Sequence, residues 1–196
     1  MASSRPSAET ASATSLLSSS LPVGALSGAG AYLLGYLITY LLVIDTVRGS
    51  IVGRLTGALA GEPTAWKLVG WILYNAHFVT TTVDVPVLGG TTAINLVAES
   101  PEIPDLLYAL PPLLLVAAGL AVARQTLDAG GPRAAARAGA TVVAGYFPLA
   151  VLGVFLFGVA AGDTTAGPNA ITGVLLAGVV YPTVFGLIGS FLADVT

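Results

Sequence analysis

The sequence predicts an all-α membrane protein, a polytopic transmembrane helical bundle of about five spans. Three observations carry that expectation. Only 9% of the 196 residues are charged while 55% are hydrophobic, against about 25% charged in an ordinary soluble domain. So few charges cannot coat a soluble surface of this size. The apolar residues also come in runs, several of them near the roughly 20 residues that a helix needs to cross about 30 Å of hydrocarbon.

The elements follow in chain order. Residues 1–20 read MASSRPSAETASATSLLSSS, rich in Ser, Ala and Thr. This composition suits a disordered tail, taken to end at residue 24. A cleaved signal peptide would need a basic start followed at once by an apolar core; Arg5 stands alone and the apolar run begins near Leu21. The 25–194 domain then holds spans expected near 25–46, 66–83, 105–123, 138–161 and 170–193. Between the first two, Gly49, Gly53, Gly57 and Gly61 recur at four-residue steps, with Ile51, Leu55 and Leu59 opposite. That pattern fits an interfacial helix, a packed half-helix or a plain glycine-rich loop. Between the second and third spans, Val83, Val85 and Val87 alternate with polar or turn residues, which suits a short strand or an extended piece in a long 84–105 connector.

Basic residues set the orientation, because Lys and Arg accumulate in cytoplasmic loops. Arg48, Arg54 and Lys67 lie between or beside spans one and two; Arg124, Arg133 and Arg137 lie between spans three and four. With five spans, all six share one side. The N-terminus is then outside and the C-terminus cytoplasmic.

The second span carries the candidate site. Lys67, Gly70, Tyr74, His77, Thr81 and Asp84 are spaced by alternating threes and fours, which would align them on one helical face. Of these, Lys67, Tyr74, His77, Thr81 and Asp84 form a candidate polar pathway or interhelical site. His77 is the only histidine. At mid-bilayer depth an ionisable group is costly when charged and counts as a functional candidate. The competing reading is a neutral imidazole that ties helices together. Its candidate partners are Tyr40, Tyr146 and Tyr181. Asn75 lies off the stripe and needs a partner of its own, read as a second interhelical contact. Spans three to five each pair Tyr with Pro (YALPP, YFP, YP), which bends helices and frees carbonyls. Small residues recur four apart at Gly24/Gly28, Gly158/Gly162, Gly173/Ala177 and Gly186/Ser190, which favours close helix approach and allows a homo-oligomer.

Several chemistries are excluded. There is no cysteine, hence no disulfide, thiolate metal site or thiol nucleophile. There is no phosphate-binding P-loop, HExxH or GxSxG motif. With one histidine and no cysteine, a protein zinc site is not expected. No cofactor and no enzyme activity are expected. The net charge is −3 with no basic stripe, so nucleic acid is not a partner; the lipid bilayer is, with other membrane subunits possible.

The run AWKLVGWILYNAHFV (65–79), after a glycine-rich first span, resembles a group of uncharacterised haloarchaeal multi-spanning membrane proteins, over most of residues 25–194. The resemblance implies a multi-pass, cell-membrane protein and says nothing about a catalytic role. Two roles stay open: a small transporter- or channel-like protein, or a non-transporting scaffold or subunit of a larger membrane complex.

Overall fold

A computed structural model describes residues 8–60, 64–86, 90–126 and 131–195; of residues 8–19, 52, 59, 60, 194 and 195 it describes the backbone alone. The helices in chain order are α1 (Ala8–Gly49), α2 (Ile51–Ala60), α3 (Ala65–Asn75), α4 (Leu96–Glu99), α5 (Leu110–Thr126), α6 (Pro132–Ala140), α7 (Val143–Leu156), α8 (Ala170–Thr172) and α9 (Tyr181–Val195). A 3-10 turn, Asp105–Ala109, leads into α5, and a π-helix, Gly173–Val180, joins α8 to α9. Among the described residues there are also four short strands, β1 (Thr81–Val85), β2 (Gly90–Ile94), β3 (Val159–Ala161) and β4 (Thr164–Pro168).

Among the described residues, four helical segments are long and apolar enough to cross a membrane: Ser20–Gly49, Asp105–Thr126, Pro132–Leu156 and Ala170–Ala193. These correspond to the expected first, third, fourth and fifth spans. The expected second span is not one of them. Its helix, α3, has only 11 residues, about 16 Å of rise against about 30 Å of hydrocarbon. The chain then turns and re-emerges as β1. Thr80, Thr81, Thr82 and Val83 explain the change in part, because β-branched side chains lose rotamer freedom in a helix and suit a pleated strand. The expected fourth span also stops short: the helix ends at Leu156, and Val159–Ala161 is strand. At the other end of the chain, residues 1–7 of the expected tail lie outside the described residues, while 8–24 continue the helix of α1. Once a span has nucleated a helix, each preceding residue adds a hydrogen bond at small cost.

Of the alternating valines, Val83 and Val85 lie on β1, which Pro86 follows; Val87 lies outside the described residues. The partners of β1 were not anticipated. The sheet order is β2-β1-β4-β3, all antiparallel. Thr81 faces Ile94 on one side and Pro168 on the other. The sheet thus ties the connector after α3 to the segment between α7 and the last span.

The interior is mainly apolar, with a few buried polar groups, and the exterior is apolar as well, unlike that of a soluble protein. Large apolar residues point outward on every long helix, among them Leu33, Leu37, Leu41, Leu113, Leu152, Phe155, Leu175 and Ile188. Inside lie Asn75, His77, Thr81, Thr39 and Ser190, with Tyr74 and Tyr146. A contiguous apolar exterior of this extent marks a surface made for lipid or a partner.

Small residues let the helices meet backbone to backbone. α1 and α7 run side by side in the same direction: Gly24 lies against Thr141, Gly28 against Val142 and Tyr146, and Tyr36 against Phe157. A Cβ on Gly145 would sit 1.7 Å from the Ala25 carbonyl oxygen. α5 and α9 meet through Gly119 on the Gly186 carbonyl and Gly189 on the Val116 carbonyl. Of the expected small-residue pairs, Gly24/Gly28, Gly173/Ala177 and Gly186/Ser190 are used in helix packing. Gly158/Gly162 is not on a helix; Gly162 has φ +59°, a left-handed turn between β3 and β4. Of the four-step glycines after span one, Gly53 and Gly57 lie on a helix, α2, Gly49 ends α1 and Gly61 lies outside the described residues; Ile51 and Leu55 are exposed and Gly53 is seated on the Val47 carbonyl.

An enclosed polar hub at the tip of α3

α3 is the innermost element: Leu68 through Asn75 are all buried. Its entry is held by aromatics. The Tyr36 hydroxyl donates to the Trp66 carbonyl at 3.0 Å, and the Trp71 indole N–H donates to the Phe157 carbonyl at 2.7 Å. The Phe157 ring stacks on Tyr36 at 5.4 Å and packs edge-on to Trp66 and Tyr74. Gly70 is glycine for a steric reason, since a Cβ there would lie 2.3 Å from the Phe157 ring.

The helix ends in a Schellman turn. The Val79 N–H donates to the Tyr74 carbonyl at 3.1 Å and the Phe78 N–H to the Asn75 carbonyl at 2.9 Å. The left-handed position of this motif normally takes glycine; here it is Phe78, φ +59°. Phe78 is 59% exposed and its ring stacks on Tyr108 at 4.6 Å. An L-residue there costs about 1–2 kcal/mol, and the aromatic contact offsets part of that. Phe78→Ala keeps the backbone cost and loses the stacking, whereas Phe78→Gly removes the backbone cost. In detergent unfolding the glycine variant should therefore be more stable than the alanine variant by about 1 kcal/mol. An alanine variant at least as stable as the glycine one would contradict the left-handed turn.

Asn75 makes the turn possible. Its side-chain N–H2 donates to the Val79 carbonyl at 2.7 Å and to the Thr81 hydroxyl at 3.2 Å, and its oxygen accepts from the Leu96 N–H at 2.9 Å. Asn75 is thus no contact between bundle helices, as the sequence reading had it. It joins the end of α3 to the starts of β1 and α4. Asn95 caps α4 and accepts from the Tyr108 hydroxyl at 3.2 Å, which carries the tie on to the 3-10 turn that leads into α5.

His77 sits in the same turn, 1% exposed and outside the four candidate spans. Nδ1 is 2.7 Å from the Leu73 carbonyl and Nε2 is 2.7 Å from the Tyr146 hydroxyl. A carbonyl can only accept, so Nδ1 carries the proton and Nε2 accepts from Tyr146. The imidazole is therefore neutral with both nitrogens occupied. Burial lowers its pKa from 6.5 to about 4, against a smaller opposing effect of the Leu73 carbonyl. Tyr181 packs its ring on the imidazole at 4.8 Å. Of the three expected partners, Tyr146 and Tyr181 are in place; Tyr40 instead lies near Tyr36 and Arg48. The Tyr74 hydroxyl donates to the Ala150 carbonyl, so the Tyr32 hydroxyl, 3.4 Å away, donates to Tyr74.

The expected stripe is consequently divided. Tyr74 and His77 meet, their rings 6.4 Å apart. Thr81 bonds Asn75. Asp84 is on the sheet, accepting from Thr91 at 3.2 Å. Lys67 is in the first turn of α3, its Nζ 5.5 Å from the Trp66 ring centre. The reason is helical phase, which ends at Asn75; a three–four spacing means nothing across a turn and a strand. Asn75 as a hub was legible only as a polar residue needing a partner. Phe157 gave no sequence signal.

A family model matches residues 1–196. The chain belongs to the family described as "Family of unknown function (DUF7978)". No curated protein and no solved structure matches it. Membership in this family leaves its chemistry to be argued from the hub itself.

Proposed function

We propose that the chain is a four-crossing integral membrane protein of non-transporting type, a scaffold or subunit of a larger membrane assembly. One observation carries this reading: every polar group at the tip of α3 is already bonded to protein. His77 uses both nitrogens, Asn75 both ends of its amide, and Tyr74 its hydroxyl proton. A conduction or binding site keeps polar groups available for its cargo, whereas satisfied polar groups at helix contacts hold a membrane bundle together.

Four crossings put both termini on one side. Arg5, Arg124, Arg133 and Arg137 then share that side by their place in the chain, against Arg48, Arg54 and Lys67 on the other. The positive-inside rule assigns the termini to the cytoplasm by four to three. α2, α3, α4 and the sheet belong to the outer half, with the exposed face of α2 at the interface. This replaces the outside N-terminus expected from five spans.

A small transporter is the second reading, and it too has a supporting observation. α3 is a half-helix ending inside the bundle, and a π-helix, Gly173–Val180, touches it at its first residue, where Gly173 lies against Tyr74. Broken helices and π segments both recur at functional sites. Pro182 gives the π segment a local cause, since it lacks the N–H that would close an α-turn on Gly178. Native membranes extracted in mild detergent discriminate the two. A stoichiometric complex with a second, defined membrane chain is expected. Migration of the chain alone, together with proton flux in proteoliposomes that His77→Phe abolishes, would establish the transporter instead.

A further inference from the structure

Between α1 and α7 lies a groove of about 270 Å³. Tyr32, Tyr36 and Leu33 form one wall, α7 from Leu149 to Leu156 the other, and Trp66 closes one end. Leu149 to Leu156 spans about 10 Å of helix. The groove opens outward, since Leu33 and Leu152 on its rim are each 58% exposed. Its polar groups are turned to other work: the Tyr36 hydroxyl to the Trp66 carbonyl, the Tyr32 hydroxyl to Tyr74. What remains is carbon, suited to a hydrocarbon chain and to nothing that needs a hydrogen bond. Gly153 lets α7 close on the Tyr32 hydroxyl at the floor, where a Cβ would lie 2.1 Å from that oxygen. A cation stands at the closed end, where Lys67 follows Trp66 and its Nζ is 5.5 Å from that ring.

We propose that this groove seats one chain of a membrane lipid whose anionic phosphate headgroup lies at Lys67. The apolar wall selects hydrocarbon, and the ammonium complements the phosphate. An aromatic ring at the same level suits the boundary between chain and headgroup. The proposal rests on the reading that α1 and α7 cross a bilayer.

Tryptophan quenching tests it. The protein is reconstituted in phosphatidylcholine vesicles containing rising fractions of brominated-chain phosphatidylglycerol or brominated-chain phosphatidylcholine. Trp66 lines the groove while Trp71 is buried, and the loss of the signal in Trp66→Phe assigns it. Half-maximal quenching is expected at a several-fold lower fraction of the anionic lipid. Lys67→Gln should erase that preference. Leu152→Phe, which narrows the rim, should weaken quenching by both lipids, whereas Leu37→Phe, exposed but outside the groove, should not. Equal quenching by the two lipids in the wild type would overturn the headgroup assignment, and indifference to Leu152→Phe would overturn the groove. Failure of the membrane reading looks different: the protein would not float with the vesicles, and neither lipid would quench.

Discussion

His77→Ala is expected to lower stability by about 3–4 kcal/mol, seen as a large drop in the midpoint of thermal unfolding in detergent. Three losses add. The side-chain space under Tyr181 becomes a cavity. The buried Tyr146 hydroxyl loses its acceptor, and the Leu73 carbonyl loses a donor. Membrane insertion itself should survive, because the four apolar segments are untouched. The same residue gives the wild type a pH signature. The folded pKa is depressed relative to the unfolded value of 6.5, so the unfolded chain binds the proton more readily. Stability is therefore complete above pH 6.5 and falls as pH drops toward 4, by up to about 3 kcal/mol. As His77 is the only histidine, the loss between pH 6.5 and 5 should disappear in His77→Ala. A variant as stable as wild type, or one with unchanged pH dependence in that window, would remove His77 from the core of the account.

The second large effect is at the α1–α7 seam. Gly145→Val is expected to abolish the folded, monodisperse species, a loss of more than about 4 kcal/mol. The clash is with backbone: the added Cβ would stand 1.7 Å from the Ala25 carbonyl oxygen and 2.8 Å from the Ala29 nitrogen. No rotamer avoids it, so two helices must separate along the seam that also places Tyr32 beside Tyr146, their rings 5.2 Å apart. Even Gly145→Ala should show most of the defect. Gly30→Ala is the control, since a Cβ there meets nothing within 4 Å; it should be neutral or raise stability by up to about 1 kcal/mol. Size-exclusion profiles and unfolding midpoints of the three variants read this directly.

Much of the architecture was written in local composition. Long apolar runs located the helices at Ser20–Gly49, Asp105–Thr126 and Ala170–Ala193 to within a few residues, because hydrocarbon thickness fixes span length whatever the contacts. The valine alternation located β1. The error lay at 66–83, where a run with enough apolar residues for a span instead folds back on itself. Hydropathy averages over a window; it does not register that Asn75 bonds across a turn to Val79, Thr81 and Leu96. That one miscount moved Arg48, Arg54 and Lys67 to the other side of the proposed topology. His77 was visible as a lone polar group in an apolar run, and two of its three candidate partners were visible as tyrosines at similar depth. The direction in which α3 enters, and the β1–β4 pairing that returns the chain, depend on contacts between residues some 80 positions apart, which no periodicity encodes.

The central claim is that residues 66–83 dip into the bundle and return, leaving four crossings. Single-cysteine labelling with a membrane-impermeant maleimide tests it most directly, since the chain has no cysteine of its own and each introduced one reports alone. Ser7→Cys and Thr196→Cys should react from the same side of the membrane, and Thr92→Cys, exposed on β2, from the opposite side. Labelling of positions 7 and 196 from opposite sides would require an odd number of crossings and would return 66–83 to the status of a span.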